Sequence, residues 1–158
     1  AKVACKFTAP ADIGDIDSFS VYASRVGGGA HAQRAGIYTD NAGAPDALVA
    51  NSSIVISANI PAGPGWNSAT YGTKPTLTPG AVYWLCAQAA TDQTTYYDAG
   101  GSNQQARRND SYSDGLADPF DTLPTYAARQ FSIYVTYTPL AAAAQGALFR
   151  NRSVGRRL

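Results

Sequence analysis

The 158-residue sequence predicts an all-β fold: an antiparallel two-sheet β-sandwich of the jelly-roll kind, with about eight strands. Three observations lead there. Apolar and polar residues alternate with period two in segment after segment, as in strands that bury one face. Turn residues punctuate the chain, with 15 Gly and 9 Pro and clusters such as GGGAH (27–31), PAGPG (61–65) and TPG (78–80). The composition also disfavours helices: all 11 acids are Asp, Glu and Met are absent, and there are 10 Tyr. Asp serves caps and turns where Glu builds helices, and Tyr is enriched in strands.

KVACKFTA opens the chain as the first strand. FSVYASR is the second, with Phe19, Val21 and Ala23 on one face. AGIYT, SIVISA and GWNSATY follow, the last opening with Trp66. AVYWLCAQAA is apolar on both faces, which predicts a central strand. TTYYD is the seventh. QFSIYVTYT is the clearest, with Phe131, Ile133, Val135 and Tyr137 on one face and Ser132, Tyr134, Thr136 and Thr138 on the other. Trp66 and Trp84 fall within these patterns and are read as core. No repeat interrupts the series.

Two segments break the rhythm. Period two fails from Asp98 to about Ala128, and a segment that long without strands is often a functional loop. Pro139 closes the last strand, and residues 139–158 are read as an arm outside the sandwich, extended or partly helical. The expected organisation is a sandwich module at 1–138 and an apolar, basic arm at 139–158. The arm holds four Arg and no acid, so the net charge of +1 leaves −3 on residues 1–138. A chain so nearly neutral is not a general nucleic-acid binder. No run reaches the roughly 18 apolar residues needed to span a membrane. No signal peptide is read, and Ala1 is expected to follow either a removed initiator Met or a cleaved leader.

Residues suited to catalysis are few. The one histidine, His31, sits in a glycine-rich turn and reads as a solvated loop residue; no nucleophile elbow is present. Zinc lacks a ligand set. Calcium needs several oxygens at once. Asp40, Asn41 and Asp46 in GIYTDNAGAPDALVA (36–50) offer them, but Gly43 and Pro45 fit a plain turn better. Asp110, Asp114 and Asp118 in the long segment are the stronger calcium candidates, against the reading that they cap turns. Cys5 and Cys86 alternate with apolar neighbours and are either two buried thiols or a disulfide between strands.

Binding chemistry is richer. Tyr96, Tyr97, Tyr112 and Tyr126 lie in or beside the long segment, with Asn103, Gln104, Gln105, Arg107 and Arg108 as polar company. Tyrosine rings stack on sugars while amides and guanidinia hold hydroxyls; the same set suits a protein interface. In the arm, Leu148, Phe149 and Leu158 stand among Arg150, Arg152, Arg156 and Arg157. Apolar anchors among cations favour docking on a neighbouring subunit over nucleic acid.

The order GIYTDNAGAPDALVA, GW (65–66), LTPGAVYWLCAQ and FSIYVTYT resembles a group of β-sandwich modules of secreted bacterial proteins, cell-surface proteins and phage virions. The likeness covers roughly residues 3–138. It implies a non-catalytic module for adhesion, sugar binding or assembly, and treats TDNAGAP as an architectural turn. The chain departs from it at Cys5 and Cys86, where such modules often have small residues, and in the arm. The expectation is a structural subunit of a virion or extracellular surface, of the capsid-decoration, fibre or coat type. It would form a homo-oligomer or dock on a scaffold through its arm. The alternative is a glycan- or host-receptor-binding module using residues 98–128.

Overall fold

A computed structural model describes residues 1–29, 31–120 and 124–140. The arm candidates Leu148, Phe149, Arg150, Arg152, Arg156, Arg157 and Leu158 lie outside the described residues. Among the described residues the protein is all-β, and every paired strand is antiparallel. No helix there is long and apolar enough to cross a membrane.

Strands β1 (Lys2–Thr8), β3 (Gln33–Asn41) and β7 (Val82–Ala89) are the middle of a seven-stranded sheet. Beyond β1 it continues through β10 (Gln105–Arg108) and β11 (Thr125–Ala127); on the other side β4 (Ala44–Leu48) and β5 (Ile54–Ser57) both pair with β3. Strand β2 (Ile16–Arg25) centres a four-stranded sheet with β6 (Gly65–Thr70), β8 (Gln93–Thr95) and β13 (Ile133–Tyr137). Strands β9 (Tyr97–Ala99) and β12 (Arg129–Phe131) form a separate two-stranded ribbon.

Strand β7 is buried on both faces because each face has its own cover. Tyr83, Leu85 and Ala87 join Phe19, Val21, Ala23, Ile133 and Val135 of the four-stranded sheet in the main core. Trp84 and Cys86 point the other way, into a second cluster with Ala4, Tyr38, Ala106 and Phe120. Each large apolar side chain so enclosed contributes about 1.5–3 kcal/mol.

Residues 98–128 are not the single strandless loop expected. They contain β10 and β11, and residues 110–120 fold over the second cluster. Phe120 is fully buried against Tyr38, with ring centroids 5.0 Å apart and planes at 90°. The Tyr38 hydroxyl donates to the Ala117 carbonyl at 2.7 Å, and Gln88 Nε2 donates to the Ser111 carbonyl at 2.9 Å. Lys2, fully buried, sits over the Phe120 ring at 4.5 Å, with its Nζ 2.8 Å from Asp110 Oδ2. That approach is close but not aligned as a hydrogen bond.

The 36–50 stretch is a hairpin. Asn41 pairs with Ala44, and Ala42 and Gly43 between them have φ of 53° and 88°, as a two-residue type I′ turn requires. Holding Ala42 there costs about 1 kcal/mol, since its Cβ crowds the following carbonyl. Asp40 is occupied by the protein: Oδ2 accepts the Gly43 N–H at 3.0 Å and Oδ1 accepts the Trp84 indole N–H at 2.7 Å.

Candidate functional site

The β9–β12 ribbon places aromatic and cationic groups together. Phe131 stands opposite Tyr97 in the register, and Arg129, two residues before Phe131, shares its face. The Arg129 guanidinium lies 4.3 Å from the Tyr97 ring centroid, and Tyr97 meets Phe131 edge-on at 5.9 Å. Cys5 ties this ribbon to the large sheet: its Sγ accepts the Phe131 N–H at 3.1 Å and lies 3.9 Å from the Arg129 carbonyl. On β10, Gln105 and Arg107 sit opposite Cys5 and Val3 and share their face.

Between these elements is a cleft of about 240 Å³, whose lining includes Asp92, Tyr97, Gln105, Arg107, Arg129 and Phe131. Small-molecule pockets run roughly 300–1,000 Å³, so this space suits one ring-sized group. Gln105 is only 4 % exposed, and its Oε1 has no hydrogen-bond partner. A buried acceptor left open costs stability and is ready for a donor. Two guanidinia, an open amide oxygen and two aromatic rings can hold a carboxylate and a hydroxyl on one small ligand.

Of the eight binding candidates, Tyr97, Gln105 and Arg107 meet in this cleft; the rest are dispersed. Tyr96 lies on the outer side of the four-stranded sheet, 5.2 Å from the Tyr22 ring. Tyr126 lies on the outer side of the seven-stranded sheet, 6.4 Å from Trp84; burial beside Asp40 raises its hydroxyl pKa. Tyr112 is stacked under Arg34 at 3.9 Å. Asn103 occupies a turn at φ 54°, and Arg108 lies on β10 facing away from Arg107. The sequence missed Phe131 because it reads as part of the last strand, and Arg129 because it falls between that strand and the long segment.

The structure corrects further expectations. His31 is not solvated: it is 4 % exposed, with Nδ1 2.6 Å from Thr91 Oγ1 and Nε2 3.2 Å from the Gly28 carbonyl. The calcium candidates are not brought together. Asp110 faces Lys2, Asp114 accepts from Ser113, and Asp118 accepts the Leu48 N–H at 2.9 Å. Among the described residues no three His, Cys, Asp or Glu form a ligand group. Trp84 is core, but Trp66 is 51 % exposed on the outer side of the four-stranded sheet.

Cys5 and Cys86 are free and buried. They are on adjacent strands, but Cys86 pairs with Ala4 while Cys5 pairs with Leu85. One residue of offset sends their side chains to opposite faces, so the expected alternative of a bridge fails. Burial raises the Cys5 thiol pKa to about 11 and that of Cys86 to about 12.

No protein-family model matches this chain, and no curated protein and no solved structure matches it either.

Proposed function

We propose that this chain is a non-catalytic surface module of a virion or extracellular assembly, built as a two-sheet jelly-roll sandwich, that binds an acidic sugar. The observation that carries this reading is the convergence of Tyr97, Arg107, Arg129 and the open Oε1 of Gln105 on one cleft. A sugar acid matches it group for group. Its carboxylate meets the guanidinia, a hydroxyl donates to Gln105, and its ring lies against Tyr97 or Phe131. Among the described residues Asp92 is the one acid lining the cleft, where a paired-carboxylate hydrolase would need two. The motif order that resembles modules of secreted, cell-surface and virion proteins supports the same placement. Residues 139–158, basic and apolar by sequence, then serve to dock the module on its neighbours.

The test is binding to polygalacturonate and sialyllactose, with lactose as the uncharged control. Arg129→Ala should lower affinity for the acidic ligands about tenfold or more and leave the thermal midpoint unchanged. Equal binding of lactose, or an Arg129→Ala variant that binds the acidic ligands like the parent, would sink the reading. Light scattering of the chain against a version ending at Thr138 tests the docking role. Identical monomers from both remove self-assembly through the arm.

A further inference from the structure

A second surface lies on the outer side of the four-stranded sheet. Four rings form a chain across it: Tyr96 meets Tyr22 at 5.2 Å, Tyr22 meets Trp66 at 5.2 Å, and Trp66 meets Tyr134 at 4.7 Å. Each pair is edge-on, with planes at 66° to 72°. Trp66 and Tyr134 nevertheless stay 51 % and 42 % exposed. Such exposure is costly for a tryptophan, and neighbouring rings fix these two in place.

The rest of the face is hydroxyl. Ser18 Oγ is 2.6 Å from Thr136 Oγ1, and Ser20 Oγ is 2.7 Å from Ser68 Oγ. Each pair uses one of its two protons, so the other proton and several lone pairs remain available. Every outward position of β2 from 18 to 24, of β6 from 66 to 70 and of β13 from 134 to 136 is Ser, Thr, Tyr or Trp. Not one is charged, and the charges beside the Ser18 end, Asp17 and Lys74, neutralise each other as an ion pair, so an acidic, basic or phosphate-bearing partner finds no net counter-charge here.

We infer that this face binds a neutral polysaccharide. Sugar hydroxyls both donate and accept, as do Ser and Thr, and the apolar faces of sugar rings lie against aromatic side chains. The size of the face favours a chain over a protein. Seven residues of β2 across three strands make roughly 300 Å², well short of the about 800 Å² per partner of a stable protein interface. The site is separate from the cleft, since Tyr96 lies on this face while the adjacent Tyr97 lines the cleft. It does not depend on the acidic-sugar reading.

Affinity electrophoresis of the full chain through gels containing dextran, soluble starch, galactomannan or hydroxyethyl cellulose tests the inference. At least one polymer should retard the protein. Trp66→Ala and Tyr134→Ala should each weaken the retardation about tenfold, Trp66→Phe should keep part of it, and Arg129→Ala should leave it intact. Circular dichroism identifies any variant that fails to fold, in which case the Phe variant decides. No retardation by any of the four polymers overturns the proposal. So does retardation that survives in folded Trp66→Ala and Tyr134→Ala. A dimer in light scattering that Trp66→Ala dissolves, with no polymer bound, would assign the face to a second copy instead.

Discussion

The outer face of the seven-stranded sheet is roofed by the chain's own residues 110–120, whereas among the described residues nothing covers the outer face of the four-stranded sheet. Both faces are rich in aromatic side chains. On the roofed side Trp84, Tyr38 and Phe120 are fully buried, and on the bare side Trp66 and Tyr134 stay open. The roofed side also holds a buried cation, Lys2, with its Asp110 partner, while the bare side has only hydroxyls between its rings. The difference separates two uses of aromatic residues on a sheet. One set holds the fold together, and the other, held by neighbouring rings, is left free to meet something else. The Asp-rich segment belongs to the first use, since Asp110 and Asp118 fasten the roof.

The largest effect expected is from Phe120→Ala, which empties the middle of the roofed cluster and should cost about 3–5 kcal/mol in urea unfolding. Tyr134→Ala on the bare face should cost about 1 kcal/mol, the worth of an aromatic pair. Equal losses would erase the distinction between the faces. Next is Asp110→Asn, which strands the Lys2 charge. With the Asp110 side chain still 21 % exposed, the loss should be roughly 3 kcal/mol, at the low end for a broken buried pair. Adding Lys2→Met should recover most of it; no recovery would place the role of Asp110 elsewhere.

The smallest effect is alkaline. Burial raises the pKa of the Tyr38 hydroxyl, and that of the Cys86 thiol to about 12 from an ordinary 9.0. Groups with raised values hold their protons longer in the folded state. Their contribution is therefore whole below the unfolded pKa and is lost as pH rises through the folded one. The thermal midpoint should fall from about pH 9 to about pH 12, with a shallower slope in Cys86→Ala. A slope unchanged by that substitution would remove Cys86 from the account.

Period two made β1, β2, β6, β7 and β13 legible, because each has one face or both in the core. Strand β4 was hidden by Pro45 and Asp46, poor strand formers that are tolerated at a sheet edge. Strands β10 and β11 are too short, and QARR too charged, to leave a periodic trace. Three members of the cleft could be named from their chemistry, but their convergence depends on the ribbon, which pairs residues some 30 positions apart in sequence. Trp66 was misassigned although a signal was present. It shares its parity with Ser68 and Thr70, whereas Asn67 and Ala69 face inward, so the polar company of that row marks the outer side.

The one-residue offset between Cys5 and Cys86 sets an order of events for the chain. In the unfolded state nothing keeps the two sulfurs apart, and an oxidant can join them. Once joined, β1 and β7 cannot take up their native register, which turns the two side chains away from each other. A chain that folds before it meets oxidant avoids that trap. After that, its central sheet stands as a wall between the thiols, and each is shielded on its own side.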